Sequence, residues 1–166
     1  MKLRQMATAF ISRDGHYIMM EKDKSRWFGF PFWTALGGHL EPEEISDPDT
    51  AVRREILEES GLLLDEVTDL MLRYVLMRQK DDEIRIQYVY FGRTEKAELV
   101  NSDEGKLHWI AEHELTGLHL SAVIREMLLH YFRHRDERLV YSGTIKAGED
   151  EEAVMQWSEL KDPQVF

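Results

Sequence analysis

Residues 38–62 read GHLEPEEISDPDTAVRREILEESGL, and the fold follows from how this stretch is read. Asp47-Pro48-Asp49 opens a helix. Asp47 can cap the free N–H groups, Pro48 suits the first helical position, and Asp49 favours the positive end of the helix dipole. Gly61 is a natural stop, so the helix runs from about Pro48 to Ser60. Within it Glu55, Glu58 and Glu59 stand at i, i+3 and i+4, and at about 100° per residue they share one face. Val52 and Ile56 fall on the adjoining stripe. A helix docked through that stripe holds the carboxylates at the edge of its packed side. Three like charges so close repel one another, and a hard divalent cation, which prefers carboxylate oxygen, removes the repulsion. The other reading of such a run is a solvated acidic face.

On either side of this helix the chain reads as strands. Leu3 to Ser12 and His16 to Met20 form a hairpin across Asp14-Gly15. Residues 22–32 are loop-like, and a short strand from Trp33 to Leu36 leads into Gly37-Gly38. Val67 to Arg78 and Ile84 to Arg93 read as two strands joined by Gln79-Lys80-Asp81-Asp82, the second alternating at Ile84, Ile86 and Tyr88. A polar loop from Thr94 to Gly105 precedes a strand at Leu107 to Ile110. An amphipathic helix then carries Val123, Ile124, Met127, Leu128 and Tyr131 at helical spacing. Beyond Arg135, residues 138–145 read as a strand, Gly148 to Glu152 as a solvated loop, and residues 154–160 fit no single pattern. With no repeat and no low-complexity linker, the expectation is one domain over 1–135 and an extension over 136–166 packed on it.

The composition narrows the function classes. The chain has 166 residues, 43% of them apolar, enough for a packed core. No apolar run has the roughly twenty residues that would cross a bilayer, and the N-terminus shows no leader pattern. There is no cysteine. Disulfides, thiolate metal sites and a cysteine nucleophile are excluded, and a cytoplasmic location is expected. A net charge of −11 disfavours polymeric nucleic acid as partner, yet leaves room for a small phosphorylated molecule bridged to carboxylates by divalent cations.

The 38–62 stretch resembles the Nudix box: a Gly, five residues, Glu, seven residues, then Arg-Glu-U-x-Glu-Glu-x-Gly-U with U aliphatic. Gly38, Glu44, Arg54, Glu55, Ile56, Glu58, Glu59, Gly61 and Leu62 match it. Two departures stand out. Nine residues rather than seven separate Glu44 from Arg54, the extra pair lying near residues 45–48, and Leu36 stands where many relatives carry Pro. The resemblance implies the Nudix fold, a mixed β-sheet in an α/β/α sandwich, and a Mg²⁺-dependent hydrolase, with Mn²⁺ as a substitute. It implies Glu58 and Glu59 as principal metal ligands, Glu55 as ligand or water-orienting base, and Gly38 as carbonyl donor. Arg54 would fix a carboxylate, Glu44 or one of the helix acids, while Glu44 and Gly61 serve the architecture of the box. Ser102-Asp103-Glu104-Gly105 ahead of Leu107-His108-Trp109-Ile110 is similar to the acid-Gly loop and Trp-bearing strand of MutT-like relatives. That adds Glu104 as a further ligand or base.

The implied substrate is a nucleoside tri- or diphosphate, in MutT-like fashion an oxidised purine nucleotide among the options. ADP-ribose or another nucleoside diphosphate derivative is the sister reading, and a silent nucleotide sensor is the rival outside catalysis. The aromatic run from Trp27 to Trp33 offers either a stacking surface for a base, with Phe28 and Phe30 the candidates, or core packing. His130 and His134 have a zinc-compatible spacing but no third ligand in a matching motif, and read as exposed helix residues. Arg133, Arg135 and Arg138 read as surface. The extension beyond 135 can pair with the sheet, cover the pocket or support a homodimer.

Overall fold

The computed structural model describes residues 1–23 and 29–165. Its strands are β1 (Lys2–Arg13), β2 (His16–Lys22), β3 (Phe32–Thr34), β4 (Leu36–His39), β5 (Thr68–Lys80), β6 (Glu83–Arg93), β7 (Lys106–Ala111), β8 (Tyr141–Ala147) and β9 (Ala153–Glu159). Two α-helices, α1 (Pro48–Ser60) and α2 (Ala122–His134), lie between them. The sheet is mixed. β1 runs parallel to β6 over its whole length, β6 is antiparallel to β5, and β5 is parallel to β8, which pairs with β9. The other edge of β1 is divided. Residues 6–9 pair with β4, and residues 12–13 turn into β2, which also carries β3 and β7.

Alternation along the strands sends side chains to two cores. Ala7, Ala9 and Ile11 of β1, with Ile18 and Tyr90, pack against Ala51, Val52 and Ile56 of α1. Phe10, Met19, Val89 and Phe91 point the other way, against Val123, Met127, Leu128 and Tyr131 of α2. The sheet is therefore covered on both faces, which is the sandwich architecture. In β5 the alternation is broken by an irregularity between Leu72 and Tyr74. Leu70 and Leu72 face α1, whereas Tyr74 and Leu76 face α2, as an extra residue in a strand requires. That extra residue is Arg73, buried, with its guanidinium donating to the carbonyls of His134, Arg135, Glu137 and Leu139. It thereby ties β5 to the end of α2 and the run into β8.

Two local expectations change, at Gly37–Gly38 and at His130. Gly37 and Gly38 lie inside β4 rather than after a strand, because residues 36–39 pair with β1. The region beyond 138 forms a β-hairpin on the sheet. Its strand β8 lays Tyr141 over Tyr74, with ring centroids 6.0 Å apart. His130 is not an exposed helix residue: this hairpin buries it, with Nδ1 2.9 Å from Tyr74 Oη and its ring 4.4 Å from that of Trp157.

Candidate functional site

The site forms where α1 lies against β4. Asp47 caps the helix, accepting from the Thr50 N–H and hydroxyl, and Gly61 ends it at φ 71°. Counted from Glu55 at 100° per residue, Glu59 lies about 40° toward the Val52–Ile56 stripe and Glu58 about 60° away from it. Burial follows that order. Glu59 is 2% exposed and Glu55 8%, while the Glu58 side chain is 57% exposed.

Arg54 organises the carboxylates around it. Its Nε and Nη2 donate to the two oxygens of Glu44 at 2.8 and 2.9 Å, a bidentate pair. Its Nη1 reaches Glu55 at 2.9 Å and Glu58 at 3.1 Å, and Nη2 also donates to the His39 carbonyl. Glu44 is itself fixed by the Glu41 N–H at 2.9 Å, within the short 3₁₀ turn Pro42–Glu44. The two extra residues of this loop therefore leave the Glu44–Arg54 pair intact. The Arg54 hydrogen bonds hold the Glu44 carboxyl below its ordinary range and the Arg54 guanidinium above its own.

β4 supplies the other wall. Gly37, at φ 140°, donates its N–H to Glu59 Oε2 at 2.6 Å, and a Cβ at that position would collide with the Ala7 carbonyl. A Cβ on Gly38 would run into the Glu55 carboxylate. Gly37 therefore needs glycine for its backbone, and a side chain at Gly38 would displace the Glu55 carboxylate. Glu104 approaches from the loop before β7, near enough for its charge to act on both Glu55 and Glu59. Lys22 Nζ lies 3.4 Å from Glu104 Oε2. That loop is pinned by the Asn101 side chain, which accepts from the Leu107 N–H, and by Trp109 Nε1, which donates to the Ala97 carbonyl.

Burial raises both Glu55 and Glu59 above the usual carboxylate range. At Glu59 the neighbouring charges of Glu104 and Glu55 add to it, against the Gly37 hydrogen bond; at Glu55 those of Glu58 and Glu104 add, against Arg54. An all-oxygen set of converging, mutually repelling carboxylates fits a hard divalent cation. Among the described residues, no three acidic or histidine groups already stand in a metal-holding arrangement. Glu55 and Glu59 lie against Gly38 and Gly37 with the charge of Glu104 near them, while Glu58 turns to Arg54. Phe30 is half exposed, its ring 4.4 Å from that of His119, and Phe28 lies outside the described residues.

A cavity of about 200 Å³ opens beside Gly37, between the sheet and the start of α2. Thr8, Lys22, Trp33, Arg78, Gln87 and Ile124 are among its lining. Trp33 belongs to the aromatic run read from the sequence and Ile124 to the amphipathic helix, whereas Thr8, Lys22, Arg78 and Gln87 were not singled out. The available signal was parity: Arg78 follows Tyr74 and Leu76, and Gln87 precedes Val89 and Phe91, so polar residues sit on a core-facing register.

The NUDIX domain family model matches residues 2–132. No curated protein matches the sequence significantly. Among solved structures, the MutT protein of Bacillus halodurans superposes with a TM-score of 0.70 at 22% identity, over 96% of this chain and 99% of its own. The MutT protein of Methanosarcina mazei Go1 gives 0.67 at 18% identity, over 82% of this chain and 97% of its own. The Ap4A hydrolase of C. elegans gives 0.64 at 14% identity, over 82% and 98% respectively. At these identities the three structures speak for the fold, and the family rests on the match over residues 2–132. The chain belongs to the NUDIX domain family, and is a hydrolase of phosphoric anhydride bonds.

Proposed function

We propose that the protein is a Mg²⁺-dependent, MutT-like hydrolase that opens the diphosphate linkage of a nucleoside tri- or diphosphate, oxidised purine nucleotides included. The observation that carries this is the placement of Glu55 and Glu59 against Gly38 and Gly37, with the charge of Glu104 near both, beside a cavity large enough for a base. Glu55, Glu59 and Glu104 would hold the cation with a carbonyl of the Gly37–Gly38 pair, where the resemblance points to Gly38. Glu58 would join them by leaving Arg54. Bound magnesium, or manganese in its place, neutralises the diphosphate oxygens and supplies Lewis acidity. Arg54 keeps Glu55 oriented through the Glu44 pair, and Glu55 or Glu104 accepts the proton from the attacking water. The C-terminal residues 136–166 belong to the same domain in this reading, supported by the pairing of β8 with β5. A small nucleotide as substrate and a cytoplasmic setting complete it. The homodimer considered above finds no particular support.

The test is a turnover screen with magnesium over nucleoside triphosphates, oxidised dGTP, ADP-ribose and dinucleoside polyphosphates, resolving the products. Pyrophosphate plus a nucleoside monophosphate from a triphosphate supports the proposal, whereas AMP plus ribose phosphate moves it to ADP-ribose. Glu59→Gln keeps an acceptor for the Gly37 N–H and removes the charge. It should lower kcat by about 100-fold or more with the fold unchanged. Wild-type turnover in the folded variant would remove Glu59 from the site.

A further inference from the structure

We propose that Arg78 and Gln87 select the base, reading the edge of a 6-oxopurine seated between the sheet and α2. This rests on the nucleotide reading above. Thr8 of β1, Gln87 of β6 and Arg78 of β5 share the sheet face of Phe10, Val89 and Leu76. The apolar core of that face turns polar where α2 begins, and the cavity lies at this change.

Gln87 Nε2 donates to Thr8 Oγ1 at 2.7 Å, which turns the amide so that Oε1 is the atom left to accept. Arg78 is half-buried, and among the described residues no carboxylate or carbonyl pairs with its guanidinium. Arg93 and Arg138 share that lack of a partner among the described residues, but both are exposed to water, whereas Arg78 is not. Arg54, Arg85 and Arg135 all pair with glutamates, and Arg73 is saturated by carbonyls. Burial and the neighbouring Arg85 both disfavour the charge on Arg78, so the chain keeps there a cation that its own groups do not compensate.

A donor-only fork beside an amide acceptor complements a lactam edge. The O6 of a 6-oxopurine accepts from a guanidinium, joined by N7 where the base is not oxidised at C8, and N1–H donates to an amide oxygen. Adenine turns an amino group toward the fork at position 6. The Trp33 wall gives the apolar contact a base needs. The opposite end of the cavity reaches Gly37 and Lys22, so a base at Arg78 would lay its phosphates toward Glu59 and Glu104.

The experiment is equilibrium binding of GMP, IMP and AMP to the full chain, read by calorimetry and kept separate from turnover. GMP and IMP should bind on the order of tenfold more tightly than AMP. Arg78→Met should erase that preference by weakening GMP and IMP alone. Arg78→Lys keeps the charge without the planar fork and should lose most of it. Gln87→Leu gives the same reading should Arg78→Met fail to fold. Equal binding of AMP, equal weakening of all three ligands, full selectivity in Arg78→Lys, or no binding of any of them overturns the proposal. Hydrolysis without base discrimination sinks this inference and leaves the proposed function standing. Base-selective binding without turnover does the reverse.

Discussion

Arg54 and His130 show how differently single residues can be read. Arg54 lies in a long motif, and its partners Glu44, Glu55 and Glu58 all belong to the same stretch, so the pairing is local enough to follow from spacing. His130 is partnered by His134 one turn on, which the spacing showed, and by Tyr74, Tyr141 and Trp157 from three strands, of which spacing on α2 carried no trace. Burial first, then the charges of His134 and Arg133, lower its pKa from 6.5 to about 4; Glu137, which accepts a hydrogen bond from the Tyr141 hydroxyl, acts in the opposite sense. The unfolded chain takes up that proton near pH 6.5 and the folded chain only near 4, so between those values the unfolded state binds more protons. The contribution is complete above about pH 6.5 and lost as pH falls toward 4, by at most about 3 kcal/mol. Urea unfolding at pH 7 and pH 5 should show a steeper loss in the wild type than in His130→Gln. Parallel losses would mean that other groups carry the acid sensitivity.

At the scale of the element, α1 is self-specifying at both ends. The Asp47 carboxylate takes the Thr50 N–H, and Gly61 at φ 71° returns its own N–H to the Leu57 carbonyl. Asp47→Ala should cost about 1 kcal/mol, and Gly61→Ala about 1–2 kcal/mol from the left-handed backbone. A Cβ at Gly61 would also press on Val100 at 3.1 Å. Thermal unfolding checks both, and a neutral Gly61→Ala would mean that the turn relaxes to negative φ. The end of α2 is of the other kind. Its last carbonyls are held by Arg73, sixty residues or more upstream on β5, through a bulge that no hydrophobic pattern announces. β4 lies between these cases, since its glycines were legible but their place inside a strand depended on pairing with β1.

At the scale of the whole molecule, the family match ends at residue 132, while the sheet continues through β8 and β9. β8 covers the Tyr74–His130 face, with the Trp157 ring 5.6 Å from that of Tyr74. A chain ending at Asp136 should therefore lose cooperative unfolding and expose apolar surface to a hydrophobic dye. A truncated chain that unfolds as sharply as the full one would make the hairpin an accessory. By itself the sequence determined the helix that bears the carboxylates, the hairpin at Asp14-Gly15 and the Nudix resemblance, because caps, turns and side-chain periodicity act within a few residues along the chain. Tertiary structure alone decided that Glu55 and Glu59 meet the glycines of β4, that the charge of Glu104 reaches them, and that Arg78 and Gln87 face a cavity. Those outcomes depend on strand register, on a one-residue bulge and on packing between segments far apart in the chain, and none of these leaves a local pattern.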